Sequence, residues 1–280
     1  MRYLLCVIFL FFIFFAGEVD AQENIKYQYN AIDSTLIISG HGIIQCQDVD
    51  KYKDKCVKVE IKDGIEGISY YTFNQFNLLR EIHFPNTLKY IGKCTFNDCR
   101  SLKSLVFPPL FSGLLFDSFE GCDSLKNITF PDTIGLYMGT FDRCHSIEKL
   151  SFNYLKSSGN CFFEQCDSLE SIEIKDSTCP YRSADGVLYK EGYSAIYPLA
   201  KKNKYYVFPN NITEIIILSN PYIEEIHVSD KISKIILLPC ENLKLIKSGN
   251  INLFDRREEN MLIDSRVINL YHENGQPFPK

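Results

Sequence analysis

The sequence has no tryptophan and no run of five or more like charges. Without a basic block it lacks the electrostatic footprint of a nucleic-acid binder. Its 15 glycines and 11 prolines in 280 residues are too few for a collagen or a flexible linker protein. Catalytic signatures are missing as well: there is no H-E-x-x-H, no G-x-S-x-G, no phosphate loop and no G-x-G-x-x-G. The histidines His41, His83, His145, His227 and His272 are scattered, and no C-x-x-C or Cys/His cluster has zinc-ligand spacing. The sequence therefore predicts no catalytic residues, no metal and no cofactor. What is present is an ordinary globular balance, 45% hydrophobic and 23% charged with a formal net charge of −5. It is enriched in Phe (21), Tyr (17) and Cys (11).

One long apolar run exists, from Tyr3 to Phe15. It follows a positive start and precedes Val19-Asp20-Ala21, which puts small residues at the −3 and −1 positions. This pattern predicts a secretory signal peptide over residues 1–21. A membrane span needs about 18 apolar residues. Later runs are far shorter, as in residues 215–218, and the polar C-terminus carries no lipid-anchor signal. The mature chain is expected outside the cell, secreted or at the surface, with ten cysteines.

Segments beginning at Phe73, Phe96, Phe119, Phe141 and Phe163 align at steps of 23, 23, 22 and 22. Each reads F-x-x-C-x-x-L-x-x-I-x-F-P with drift. The fourth position holds Phe76, Cys99, Cys122, Cys144 and Cys166; the seventh holds Leu79, Leu102, Leu125, Ile147 and Leu169. The tenth and twelfth positions alternate, so they lie on one face of a short strand, which proline then ends. One such turn cannot bury its apolar face alone. Stacking turns about 4.8 Å apart makes a continuous core. The pattern predicts a leucine-rich-repeat solenoid of short parallel strands with irregular or short helical return segments. Fainter turns extend it in both directions, through Val59 and Ile61 and through Ile226, Ile235 and Ile246. The expected organisation is an N-terminal hairpin cap over 22–56, a solenoid over 57–250 and a cap or tail over 251–280. A hairpin insertion is expected near 181–208, turning at Asp185-Gly186.

The 23-residue unit resembles the BspA-like leucine-rich repeat family. So do Leu36-Ile37-Ile38-Ser39-Gly40-His41-Gly42 and the Asp185-Gly186-Val187-Leu188-Tyr189 insertion followed by Tyr197-Pro198. The resemblance covers roughly residues 27–250. It implies a non-catalytic surface or secreted protein of the adhesin type, found on bacteria and parasitic protists.

Cys99, Cys122, Cys144 and Cys166 read as small hydrophobes filling one column. Parallel Cβ vectors on adjacent turns stay about 4.8 Å apart, where a bridge needs about 3.8 Å. Cys46 and Cys56 flank a polar loop and are the candidate disulfide. The outward strand positions give a candidate binding face. They are Arg80, Glu81 and His83; Lys103, Ser104 and Val106; Lys126, Asn127 and Thr129; Glu148, Lys149 and Ser151; Glu170, Ser171 and Glu173. Two sequons, at Asn127 and Asn211, are candidate glycosylation sites. The expected function is recognition of a protein or glycan partner, such as host matrix, a cell surface or another repeat protein. A self-associating coat component is the alternative and a secreted hydrolase a distant third. No nucleic acid and no membrane span is expected.

Overall fold

A computed structural model describes residues 25–111, 113–137, 139–157, 163, 165–184, 186–190, 194–196, 204–218, 222–238, 242–248, 261–262 and 269–272. The expected signal peptide lies outside the described residues. No helix among the described residues is long and apolar enough to cross a membrane.

The chain is a β-solenoid. Each turn lays down a front strand and a rear strand, and these pair in parallel with strands of neighbouring turns. Along the front, Thr35–Ser39 pairs with Lys58–Ile61, and that strand pairs with Glu81–His83. Ser104–Val106 pairs with Asn127–Thr129, and Lys149–Phe152 with Ser171–Ile174. The register advances by one sequence repeat per turn, as in Ser104↔Asn127 and Lys149↔Ser171. Along the rear, Gly42–Ile44, Ile65–Ile68 and Tyr90–Ile91 form one parallel set; Leu114–Leu115, Thr133–Leu136 and Tyr154–Ser157 form the next. The first front strand is closed by an antiparallel hairpin, Lys26–Asn30 on Thr35–Ser39. Tyr27 and Tyr29 of this hairpin reach down to Asp48 and to the Lys55 carbonyl. They cover the open end of the stack.

Between rear and front strands the Phe-x-x-Cys segment turns the corner. The Phe column is a stack of rings: Phe73 on Phe96 at 5.4 Å, Phe96 on Phe119 at 5.1 Å, Phe119 on Phe141 at 5.5 Å. A second column, Phe84, Phe107, Phe130 and Phe152, stacks beside it and meets it edge to face. Helical return segments do not form at these corners. Each corner is made of successive tight turns, as Cys99 N donates to Phe96 O and Leu102 N to Cys99 O. The third residue of the first of these turns is left-handed, which bars a helix: Gln75, Asp98, Gly121, Arg143 and Gln165 all have φ between 54° and 72°. The helix among the described residues is Cys46–Val49, followed by the 3-10 turn Asp50–Tyr52.

The core is in two blocks. One runs from Leu36 to Leu188; the other joins Val187, Tyr189, Tyr206 and residues on to Ile246. The hairpin Tyr181–Ala184 with Val187–Lys190 lies at the seam. Leu188 enters the first core while Val187 and Tyr189 enter the second. Ile172 N donates to Gly186 O at 2.8 Å, fastening the hairpin to the last front strand of the first block.

The second block keeps the two-strand turn but shortens its step: Tyr205↔Glu225↔Leu245 at the front and Glu214↔Lys234 at the rear. Front to rear is the same stretch in both blocks, Ile82 to Ile91 and Ile226 to Ile235. Rear to the next front leucine is shorter in the second, Ile235 to Leu243 against Ile91 to Leu102. The missing residues come from the corner that carries the Phe and Cys columns. Beyond 250, Met261–Leu262 and Asn269–His272 add one more parallel pair to each face. The segment expected as a cap or tail contributes a turn there. Its pairings, Ile235↔Met261 and Leu245↔Asn269, span longer steps than Tyr205↔Glu225 and break the local period, which hides this turn in the sequence.

Candidate functional site

The cysteine column is buried and does more than fill space. Each thiol donates to the Phe carbonyl of the turn before: Cys99 Sγ to Phe73 O at 3.1 Å, Cys122 to Phe96 O at 3.2 Å, Cys144 to Phe119 O at 3.1 Å, Cys166 to Phe141 O at 3.0 Å. Burial pushes the Cys99 and Cys122 thiols well above the ordinary range. They are weak nucleophiles held as donors. A second column escapes the sequence reading. Thr72, Thr95, Ser118 and Thr140 precede Phe73, Phe96, Phe119 and Phe141 and are buried. Thr140 Oγ1 lies 2.7 Å from the carbonyls of both Leu115 and Tyr137, tying one turn to the last. The signal is available, because a hydroxyl recurs at the repeat spacing immediately before four of the five Phe residues, the fifth being preceded by Phe162.

The Cys46–Cys56 bridge is not formed. Cys46 is exposed at the start of its short helix, whereas Cys56 is buried with its thiol 3.1 Å from the Lys58 carbonyl. The two side chains face different environments. Burial raises the Cys56 thiol to about 11.

The front face stands where the alternation places it. None of Arg80, Glu81, His83, Lys103, Ser104, Val106, Lys126, Asn127, Thr129, Glu148, Lys149, Ser151, Glu170, Ser171 and Glu173 is buried. The structure arranges them in three columns along the stack. In the first column Arg80, Lys103 and Lys126 are followed by Glu148 and Glu170, so charge inverts midway. Lys126 Nζ meets Glu148 Oε1 at 2.7 Å across that inversion. In the third column Val106 is 62% exposed, and Ser151 donates to Glu173 at 2.8 Å. Asn211, the other sequon, is exposed in a turn.

The second block carries its own outward set, which the sequence reading leaves unassigned. Tyr205 packs edge-on to His227 with ring centres 4.7 Å apart. His227 Nε2 lies 2.6 Å from Glu225 Oε1, and Lys247 Nζ lies 2.8 Å from the same oxygen. Hydrogen bonding from Lys247, more than that from His227, holds the Glu225 carboxyl below the usual range. At the seam the first column continues as Lys204, Glu224 and Lys244. There the edge of the front face opens into a groove of about 600 Å³.

Residues 66–183 match six copies of the BspA type leucine rich repeat region. Over that stretch the chain carries the BspA-type leucine-rich repeat. The matched segment takes in all five Phe-led segments and most of the first strand of the seam hairpin. Three solved structures resemble most of the chain. A leucine rich cell surface protein from Faecalibacterium prausnitzii is 18% identical, with 81% of each chain covered and a TM-score of 0.52. A leucine-rich repeat protein from Eubacterium ventriosum is 17% identical, covering 82% of this chain and 71% of that one, TM-score 0.50. The pneumococcal vaccine antigen PcpA is 18% identical, covering 84% of this chain and 74% of its own, TM-score 0.50. At that identity they show the fold alone. No curated protein matches the chain. The BspA-type assignment accounts for the Phe, Cys and Leu columns and the parallel front and rear strands.

Proposed function

We propose that this BspA-type protein is a non-catalytic recognition protein, secreted or displayed at the cell surface, that binds a protein or glycan partner through its front face. The observation that carries the reading is the continuous set of outward side chains, in three columns over five turns, none of them buried. Repeat proteins commonly bind through such extended surfaces. Affinity comes from several modest contacts, with Arg80 as an anchor. The apolar run over residues 3–15 supports an extracellular destination.

The test is capture by the immobilised mature chain, with retained proteins and glycans identified by mass spectrometry. Lys103→Glu with Lys126→Glu is expected to abolish capture while leaving circular dichroism unchanged. Capture that survives both reversals refutes the front face as the binding surface, and so does full glycan occupancy of Asn127 in the native protein. The charge inversion along the first column favours a second reading, a coat component pairing antiparallel with a copy of itself. That reading requires concentration-dependent assembly in light scattering, weakened by salt.

A further inference from the structure

At the seam the regular front face becomes concave. From the first block the groove is lined by Glu148, Asp167 and Glu170, and from the second by Lys204, Tyr222 and Glu224. Ser168 and Asn242 complete it. It exists because the hairpin Tyr181–Lys190 interrupts the stack. Glu148 and Glu170 follow each other at the ordinary step, while Lys204 comes only after the inserted strands. An array without the insertion would continue the column here.

The lining chemistry is selective. No aliphatic side chain among the described residues lines the space, so an apolar ligand finds no wall to bury against. Four carboxylates repel a phosphate or a sulfate. Two of the four carboxylates are compensated by lysines. Glu148 pairs with Lys126 at 2.7 Å, and Glu224 with both Lys204 at 2.6 Å and Lys244 at 3.1 Å, while Asp167 lies 3.1 Å from His145 Nδ1. Hydrogen bonds from Lys204 first and Lys244 second hold the Glu224 carboxyl below the usual range, so it stays ionised as an acceptor. With Glu148 and Glu224 already paired to lysines, the groove's demand for a cation is reduced. It presents donors (the Lys204 ammonium, the Ser168 hydroxyl) interleaved with acceptors held in place by these ion pairs. Tyr222, 49% exposed, adds one aromatic ring.

We infer that the seam groove binds a neutral carbohydrate, a short run of sugar residues. Each sugar hydroxyl is both donor and acceptor, matching the interleaved lining. The C–H face of a pyranose packs on the Tyr222 ring, and hydroxyls bonded to ionised carboxylates make the stronger class of hydrogen bond. The ion pairs fix the acceptors before the ligand arrives, which lowers the ordering cost of binding. A cavity of this size accepts a small oligosaccharide. The inference rests on the reading of the chain as a recognition protein, and it names one ligand class and its place.

The experiment uses the full mature chain and three probes, cellotriose, mannotriose and tri-N-acetylchitotriose, with a Lys-Arg tetrapeptide as the cationic comparator. Saturation-transfer NMR and titration calorimetry read binding. At least one trisaccharide is expected to bind at millimolar concentration or better, with affinity unchanged between low and high salt. Tyr222→Ala is expected to weaken it by about tenfold or more, and Glu224→Gln similarly. Tyr222→Phe, which keeps the ring, is expected to retain most of the affinity, and Lys62→Ala, on a distant turn, all of it. Binding of none of the three sugars overturns the inference. Binding that ignores Tyr222→Ala overturns it too, as does salt-sensitive binding of the tetrapeptide in place of the sugars. If macromolecular capture is abolished by the Lys103 and Lys126 reversals but no sugar binds, the front-face reading stands and the groove falls. Sugar binding without capture gives the opposite result.

Discussion

Leu125→Ala measures how strongly the stack is coupled. Leu125 has no exposed surface, and Leu102 and Ile147, its counterparts one turn either side, have none either. The substitution removes three carbons, about 2.4 kcal/mol at ~0.8 kcal/mol per methylene. The surroundings cannot close the gap freely. Leu125 N donates to Cys122 O at 3.0 Å, and Lys126 N to Lys103 O at 3.0 Å, so the backbone on both sides is tied. A residual cavity therefore adds roughly 1 kcal/mol, for a total of about 3–4 kcal/mol. For a chain of this size that lowers the melting temperature by about 10 °C. Urea denaturation gives the energy, and hydrogen exchange gives the place. Because coupling in a solenoid is between nearest neighbours, the amides of Lys126 and Asn127 should exchange faster first. Leu243→Ala, in the second core, should leave protection across residues 102–147 intact. A loss below about 0.5 kcal/mol, or loosening spread evenly over both blocks, refutes the column packing.

Native protein treated with iodoacetamide near neutral pH should be modified at exposed Cys46 while Cys99 and Cys122 stay unlabelled until urea is added; equal labelling contradicts the donor column. Gly186→Ala should destabilise the seam by at least about 1 kcal/mol in denaturant melts. Gly186 has φ +79°, and a Cβ there would lie 2.9 Å from Ser171 Cβ, so unchanged stability would contradict this close approach of the hairpin to the front strand. Glu225, held low first by Lys247, contributes stability that is fully present above its ordinary pKa and is lost as pH falls through the lower folded value. Melts between about pH 5 and pH 3 should therefore decline more steeply in the parent than in Lys247→Ala; parallel curves contradict the pair.

Much of the fold was legible because the repeat imposes one environment on each position. Leu79, Leu102, Leu125, Ile147 and Leu169 announce their burial by recurrence, and the front strands follow from the alternation after them. The Cys column was legible as packing but not as hydrogen bonding, because spacing does not show which way a thiol points. The corner conformation was hidden for a different reason. Left-handed backbone usually advertises itself as glycine, yet Asp98, Arg143, Gln75 and Gln165 adopt it here. The front face was placed by period alone. The groove was not, because it depends on Lys204, Tyr222 and Glu224 in a block whose step is shorter than that of the Phe-Cys repeats. It also depends on an insertion whose effect on neighbouring turns no local pattern encodes.

Pulled from its ends, the chain would lengthen in increments set by its two step lengths. Held by its ends, a stack with only neighbour-to-neighbour bonds yields one turn at a time. Each turn released from the second block, as from Glu225 to Leu245, frees roughly 70 Å of extended chain. Each turn released from the first, as from Ser104 to Asn127, frees roughly 80 Å. The strand Val187–Lys190, gripped from both sides, marks where one ruler changes to the other. Under tension from the C-terminal side, slack is released first in the shorter increments, and the surface from Arg80 to Glu173 keeps its shape until the second block has unravelled.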